Sequence, residues 1–498
     1  MTGARLSSHT LARLSPTVRR YAYRREGIGI GIVHLGVGAF VRAHVAVYCD
    51  DAMAAEGGYW AIAGVSLRRA EARDRLAPQD CLYVVGAFDG EHESRRLVGS
   101  LKAVTVGRED PAAVVRQLAD PRVKVVTLTV TEKGYTLDPG SGELDADHPD
   151  IRHDLENGAR PLSTIGFLAA GLEARMQMGA AAPAILSCDN LPENGVRLRS
   201  AVLGFAAAKN PALASWIADS TAFPAPMVDR LVPAATEEDL ARNAQVIGLR
   251  DEGFVKTETF SQWVIEDDFR GPRPCWEAGG ALVVPNVEPY ERAKLRLLNG
   301  AHSAIAYLGS LAGFQYVHEA MGDPEFAGFI RRLMTEEISP VTPEPEGLDH
   351  RTYIDTLLAR FANPALRHRT RQIAMDGSQK LPLRLLDTVR SQLERGGPID
   401  GLCLAVAAWM RYCLGRDEQG RQYEVDDPLA PRIAKLSAAA SPDPGALVRA
   451  FLSLQEVFGA DLPADPRFRT GVERQLESLL RHGVIVSLAR SGRPADDA

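Results

Sequence analysis

The stretch "GIVHLGVGAFVRAHVAVYCDDAM", Gly31 to Met53, decides the fold. An apolar run from Ile32 to Leu35 ends in a glycine turn at Gly36 and Gly38, and a helical pattern follows from Phe40. Next comes "YWAIAGVSL", a second apolar run closing at Leu67, so the order is strand, turn, helix, strand. That is a βαβ unit. Two more strands are expected, in the β-branched "VKVVTLTVT" from Val123 and in "AAPAILSC", which ends at Cys188 before "DNLPENG". Four strands separated by helical patterns predict a parallel sheet with helices on both faces, which binds ligands at the carboxyl ends of its strands.

A tight glycine turn between a first strand and a helix lets backbone N–H groups approach a pyrophosphate. The expected dinucleotide site is Val33, His34, Leu35, Gly36, Val37, Gly38, Ala39, Phe40 and Arg42, with Ser66 and Arg68 at the end of the second strand. A bare GxG also fits a connection that binds nothing. The third fingerprint glycine is replaced by Val41, and "GVSLRR" offers no acid for an adenosine ribose. Arginines there tolerate a 2′-phosphate, so NAD is expected with NADP left open.

From Glu291 onward the pattern is one of amphipathic helices, as in "HSAIAYLGSLAGF", "RTYIDTLLARFA" and "GLCLAVAAWMRYCL". "VVPNVEPY", with two prolines, marks the boundary, giving a dinucleotide-binding domain over 1–285 and a mainly helical substrate and catalytic domain over 286–498.

A net charge of -7 and a pI near 5.9 give no reason to expect nucleic acid. No run approaches the length of a membrane span. The scattered cysteines, Cys49, Cys81, Cys188, Cys275, Cys403 and Cys413, contain no CxxC and read as reduced thiols of a cytoplasmic protein. Arg5, Arg13, Arg19, Arg20, Arg24 and Arg25, with no acid among them, read as a basic N-terminal arm rather than a transit peptide.

The chemistry concentrates in "KLRLLNGAHS", Lys294 to Ser303. At about 100° per residue, Lys294, Leu298, Glu291, His302, Leu295 and Asn299 share one arc, while Arg292, Arg296, Gly300 and Ser303 point the other way. Burying an amide or a charge without partners costs several kcal/mol, so these groups satisfy one another or line a ligand cavity. Tyr290 and Lys294 form a YxxxK, as in short-chain dehydrogenases, but the chain is about twice the length of that class and lacks its TGxxxGxG turn. Zinc-ligand patterns such as HExxH are missing, so no metal is expected. A lone lysine acid/base remains, desolvated among Leu295, Leu298 and Ile305, with Asn299 and His302 donating to the reacting oxygen. Glu291, three residues earlier on the same side, is a candidate proton outlet.

"IVHLGVGAF", "SCDNLPENG", "FPAPMVDRLVP", "FSQWVIEDDF", "KLRLLNGAHSAIAYLG" and "QIAMDGSQKLP" together resemble the mannitol dehydrogenase family of polyol-specific long-chain dehydrogenases, from Ile32 to the C-terminal helices. The resemblance implies an α/β fold with a Rossmann-type N-terminal domain and a mainly α-helical C-terminal domain, metal-independent nicotinamide chemistry, and an active site between the domains. By motif match it places the catalytic lysine at Lys294 and the oxygen-binding pair at Asn299 and His302. It also places an asparagine near cofactor and substrate at Asn190, and substrate contacts at Asp229 and Lys380; read without it, Asn190 is a turn residue and Asp229 a helix-surface acid. Two positions depart from the family pattern: Val41 stands where a histidine is usual, and Gln372 where polyol-oxidising members tend to carry arginine.

The C-terminal half looks closest to the fructuronate reductase branch, which interconverts D-mannonate and D-fructuronate; mannitol 2-dehydrogenase is the alternative. Arg371, Lys380 and Arg384 are candidate cations for a substrate carboxylate. The expected partner is therefore a small sugar acid or polyol, and the expected state a monomer or weak homo-oligomer. A non-catalytic nucleotide sensor would keep Gly36 and Gly38 without needing Lys294, Asn299 and His302, and a metal-dependent hydrolase is the third class considered.

Overall fold

In the computed structural model, which describes residues 3–90, 92–138, 142–440 and 443–491, the opening apolar run is the central strand of a five-stranded parallel sheet. The strands are β1 (Ile30–Leu35), β2 (Ala61–Ser66), β3 (Leu101–Val106), β4 (Val125–Leu128) and β5 (Ala184–Ser187), lying in the order β3, β2, β1, β4, β5. The chain runs outward from β1 through β2 to β3, then returns to pair β4 on the other side of β1. Such a reversal leaves a crevice at the carboxyl ends of the two strands beside it.

Strand β3 was not expected. It is one of the two edge strands, and Lys102, Ala103, Val104 and Thr105 are partly or fully exposed, so it lacks the continuous apolar run of a strand buried on both faces. Inside the sheet that burial is complete. Val33, Leu35, Ala63, Val65, Val126 and Leu128 enter one core with the helices Pro111–Ala119, Thr164–Gln177 and Asn194–Lys209. Ile32, Ile62, Val125 and Leu186 enter the other, with the helix Val45–Glu56 and the indoles of Trp263 and Trp276.

Helices thus cover both faces, and the second face also carries strands that were not expected. On the second face Trp263 belongs to Gln262–Glu266, the middle strand of a small mixed sheet with Pro226–Asp229 antiparallel and Leu282–Val284 parallel to it. A third sheet joins Tyr83–Asp89 to His92–Val98 and Val255–Glu258. Several of these strands are short and one begins at Pro226, which hides them from a periodicity search.

The basic N-terminal segment is not a loose arm. Leu6, Leu14 and Val18 are buried, Ser8 donates to Asp80, and the Arg25 guanidinium donates to the carbonyls of Gly99 and Leu101. Arg25 thus fastens the segment to the first unit.

That unit ends at Glu288 and the second begins at Pro289. The second contains helices and no strand among the described residues. Its centre is the pair Ala301–Ala312 and Asp400–Tyr412, which pack together and are buried nearly all round, as an all-apolar helix requires. The helix Pro466–Arg490 packs along the second of them and breaks its geometry at Gly483, where φ is +78°. No helix among the described residues is long and apolar enough to cross a membrane.

Candidate active site

The helix that begins at Glu288 changes its hydrogen-bond repeat at the lysine. Glu288–Ala293 is α-helical, Lys294–Gly300 is π-helical, and Ala301–Ala312 is α-helical again. In a π-helix the bond runs from i to i+5, so residues five apart line up. Lys294 and Asn299 are such a pair, whereas a plain α-helix would set them about 140° apart. His302 follows Asn299 by three residues, close to one α turn. The polar groups thus converge more tightly than α periodicity alone predicts.

The arc that points away from Lys294 is largely buried as well. Arg296, Gly300 and Ser303 are buried and Leu295 only partly so. Arg296 donates to the Val341 carbonyl and to Ser391. At Gly300 a Cβ would stand 2.7 Å from the Arg384 carbonyl oxygen, so the glycine lets this segment lie directly against a second π-helical segment, Pro382–Leu386. Lys294, Asn299 and His302 are each 7 to 9% exposed, enough to reach a ligand but far from bulk solvent. Glu291 is half-buried.

Tyr290 has a different role from the one YxxxK suggests. Its hydroxyl donates to the Glu346 carbonyl at 2.6 Å, and burial raises its pKa rather than lowering it. A short-chain dehydrogenase needs the opposite shift.

His302 stacks on Phe361 with ring centroids 5.2 Å apart and meets His368 edge-on at 4.8 Å. Burial first, then the charges of His368, Arg384, Arg360 and Lys380, hold its pKa well below the ordinary imidazole value. The ring is therefore neutral at physiological pH, with one N–H to donate. His368 is likewise pushed down to about 4 by burial.

The three candidate carboxylate cations separate. Arg371 lies over the Tyr423 ring at 4.4 Å and pairs with Asp417, which also binds Arg421. Lys380 donates to the Met375 carbonyl and lies 3.7 Å from Asp376. Arg384 reaches back to Ser303, Nη1 to Oγ at 3.1 Å, beside His302. Sequence reading missed Ser303, Phe361, Arg360 and His368. For His368 the signal was the density of Arg and His in "RHRTRQ", Arg367 to Gln372; the other three lie in helices whose pattern does not mark them.

In the first unit, Gly36 has φ of +99° and its Cβ would fall 2.0 Å from the Thr129 carbonyl oxygen, so glycine is obligatory. Gly38 has ordinary φ, caps the short helix Ala39–Ala43, and a Cβ there would meet nothing within 4 Å. The space above Gly38 lies at the carboxyl end of β1, where a sheet of this kind takes its ligand. His34 is locked beneath the turn: Nδ1 bonds Thr127, Nε2 bonds Thr129 and the Gly36 carbonyl, and burial lowers its pKa to about 3. The side chains of Val33 and Leu35 are in the core, leaving only their backbone for a ligand. Val37 and Val41 are buried as well, while Ala39 and Phe40 are half-buried. Arg42 ties the Gly38 carbonyl to that of Gly253, which makes it a brace for the turn. Ser66 donates to the Arg69 carbonyl, and exposed Arg68 pairs with Asp150.

Asn190 is exposed just after Asp189, whose carboxylate accepts from the Val130 and Thr131 N–H groups and from the Tyr135 hydroxyl. The loops after β4 and β5 are thereby fastened together. Asp229 is not a helix-surface acid: it is buried on the strand Pro226–Asp229, opposite Gln262. Among the described residues no group of three or more His, Cys, Asp or Glu could hold a metal ion.

Comparison with known proteins matches the same two parts. Residues 30–278 fit the mannitol dehydrogenase Rossmann domain and residues 286–480 the mannitol dehydrogenase C-terminal domain. D-mannonate oxidoreductase of Escherichia coli is 43% identical over 94% of this chain and 96% of the relative. Mannitol 2-dehydrogenase of Phaeosphaeria nodorum is 41% identical over 98% of this chain and 85% of the relative. Among solved structures, Pseudomonas fluorescens mannitol 2-dehydrogenase, in a ternary complex with NAD and D-mannitol, superposes with a TM-score of 0.86 and 37% identity, covering 98% of this chain and 99% of that one. With both of its parts matched and relatives of this closeness along nearly its whole length, the chain belongs to the mannitol dehydrogenase family of oxidoreductases, which act on CH–OH groups.

Proposed function

We propose that the chain interconverts a secondary alcohol of a sugar acid and the corresponding ketone, with D-mannonate and D-fructuronate as the pair and NAD as the cofactor. The observation that carries the reading is the π-helical alignment of Lys294 with Asn299, one turn from a His302 ring held neutral. In oxidation, Lys294 takes the hydroxyl proton as the carbinol C–H bond breaks. Asn299 and neutral His302 donate to the oxygen as it gains negative charge, where preorganised donors in a water-poor site contribute most. Glu291, one turn before Lys294, passes the proton outward. When bound, the nicotinamide accepts the hydride, or returns it in ketone reduction. Backbone from Val33 to Phe40 holds the pyrophosphate, Arg42 keeps the turn in shape, and Ser66 and Arg68 flank the ribose. Asn190 serves cofactor and substrate, and Asp229 the substrate.

Lys380 and Arg384 bear on His302, which supports an acid over a neutral polyol. Mannitol oxidation is the second reading, supported by the relatives named for it. Steady-state assays with mannonate, altronate, mannitol and arabinitol, each with NAD and NADP, test the choice. Mannonate with NAD should give the highest kcat/KM; a preference for mannitol transfers the assignment to mannitol 2-dehydrogenase.

A further inference from the structure

Arg384 is a guanidinium out of balance. Burial lowers its pKa, and no carboxylate appears among the groups that oppose this; the one countering influence is Tyr307. Among the described residues its only hydrogen-bond partner is the Ser303 hydroxyl, and it forms no ion pair. A cation taken out of water is costly unless paired, and two other arginines of this chain are more fully partnered. Arg175 is surrounded by four carbonyls, those of Leu118, Ala181, Asp120 and Val123, and Arg96 is held by Asp50 and Asp51. Of the two rivals, Arg371 already has Asp417 and Tyr423, and Lys380 has Asp376 and the Met375 carbonyl.

The position of Arg384 matters as much as its charge. Ser303 directly follows His302, so the bond from Nη1 to Ser303 Oγ anchors the guanidinium one residue from the imidazole proposed to hold the reacting oxygen. Gly300 adds a second constraint by letting the Arg384 backbone approach the π-helical segment. The side chain is thus fixed from two directions, with its remaining N–H groups available for a planar, bidentate acceptor. A carboxylate fits that fork.

We infer that Arg384, braced by Ser303, takes the carboxylate of a sugar-acid substrate and sets the preference of this chain for an acid over the matching polyol. The inference rests on the proposed alcohol–ketone chemistry at Lys294, and it names which of the three candidate cations selects the substrate. Mannonate and mannitol differ at one end, carboxylate against hydroxymethyl, so only one of them uses the pair. Ser303 acts as a positioning residue.

The test compares kcat/KM for mannonate and for mannitol in the full-length wild type, Arg384→Met, Arg384→Lys and Ser303→Ala, with NAD. Arg384→Met should lower the mannonate value by roughly 10- to 100-fold, the usual weight of a hydrogen bond to a charged group, with mannitol within about threefold. Arg384→Lys should recover part of the loss, and Ser303→Ala should lower the mannonate-to-mannitol ratio by a smaller factor. Guanidinium added to Arg384→Ala should restore mannonate turnover without raising mannitol turnover, which a purely structural role would not do. Equal losses on both substrates, or an unchanged ratio in all variants, overturn the inference.

Calorimetric titration of wild type and Arg384→Met with mannonate separates this from failure of the catalytic reading. If no substrate turns over but mannonate binds the wild type and not the variant, the anion site stands and the chemistry falls. If mannonate binds both alike, Arg384 is not the site. Should Arg384→Met fail to fold, the Arg384→Lys and Ser303→Ala ratios decide.

Discussion

Asn299 lies five residues after Lys294 on a π-helical segment, so the amide and the ammonium stand in line rather than on opposite flanks of the helix. Local departures of this kind are frequent at functional sites. Here the segment is held by its neighbour, because Gly300 gives the Arg384 carbonyl room to approach. Gly300→Ala should push the two π-helical segments apart, costing about 1–3 kcal/mol of stability as an overpacked contact and lowering kcat more than it raises KM. Urea unfolding and steady-state kinetics on the same preparation check both parts.

The two glycines of the first turn should fail differently. Gly36→Ala places a Cβ 2.0 Å from the Thr129 carbonyl oxygen at a positive φ, so the variant should be destabilised with or without cofactor. Gly38→Ala meets nothing within 4 Å and should fold normally. Its loss should appear in NADH affinity alone, read by fluorescence titration. A Gly38→Ala protein that binds NADH as tightly as wild type would remove the space above Gly38 from the cofactor site.

Stability should carry the signature of the buried histidines. His368 has a folded pKa near 4 against an ordinary value of 6.5, so the unfolded chain binds its proton first. The stabilisation is present above pH 6.5 and is lost as pH falls toward 4. His368→Phe keeps an aromatic ring against His302 and removes the titration. Its denaturation midpoint, measured relative to wild type, should rise steadily across that window and stay flat above it.

Much of this was legible in advance, for physical reasons. The strands β1, β2, β4 and β5 are buried on both faces and therefore announce themselves as apolar runs. The long C-terminal helices have apolar faces wide enough to read. The mixed sheet carrying Asp229 was not legible, because one strand opens on Pro226 and the others, Gln262–Glu266 and Leu282–Val284, are partly exposed and lack a continuous apolar run. The site itself was half legible. Lys294, Asn299 and His302 stood out as polar groups on an apolar arc, but nothing in an α-helical period reveals a π-helical segment or shows that Arg296 and Ser303 on the other arc are buried too. Arg360 and His368 reach His302 by tertiary packing, which no local pattern encodes.

Tyr290→Phe removes a hydroxyl that donates to the Glu346 carbonyl. It should cost about 0.5–1.5 kcal/mol of stability and leave kcat within about twofold.

The most direct measurement of the central claim is single-turnover oxidation in Lys294→Ala, with and without added primary amines. Lys294 is the proposed proton acceptor, so the rate should fall by roughly 10²- to 10⁴-fold, the range for loss of a general acid/base, with NAD affinity nearly unchanged. Methylamine should restore part of it in proportion to the free amine present. A Lys294→Ala enzyme that retains its rate, or a Tyr290→Phe enzyme that loses as much, would contradict the account.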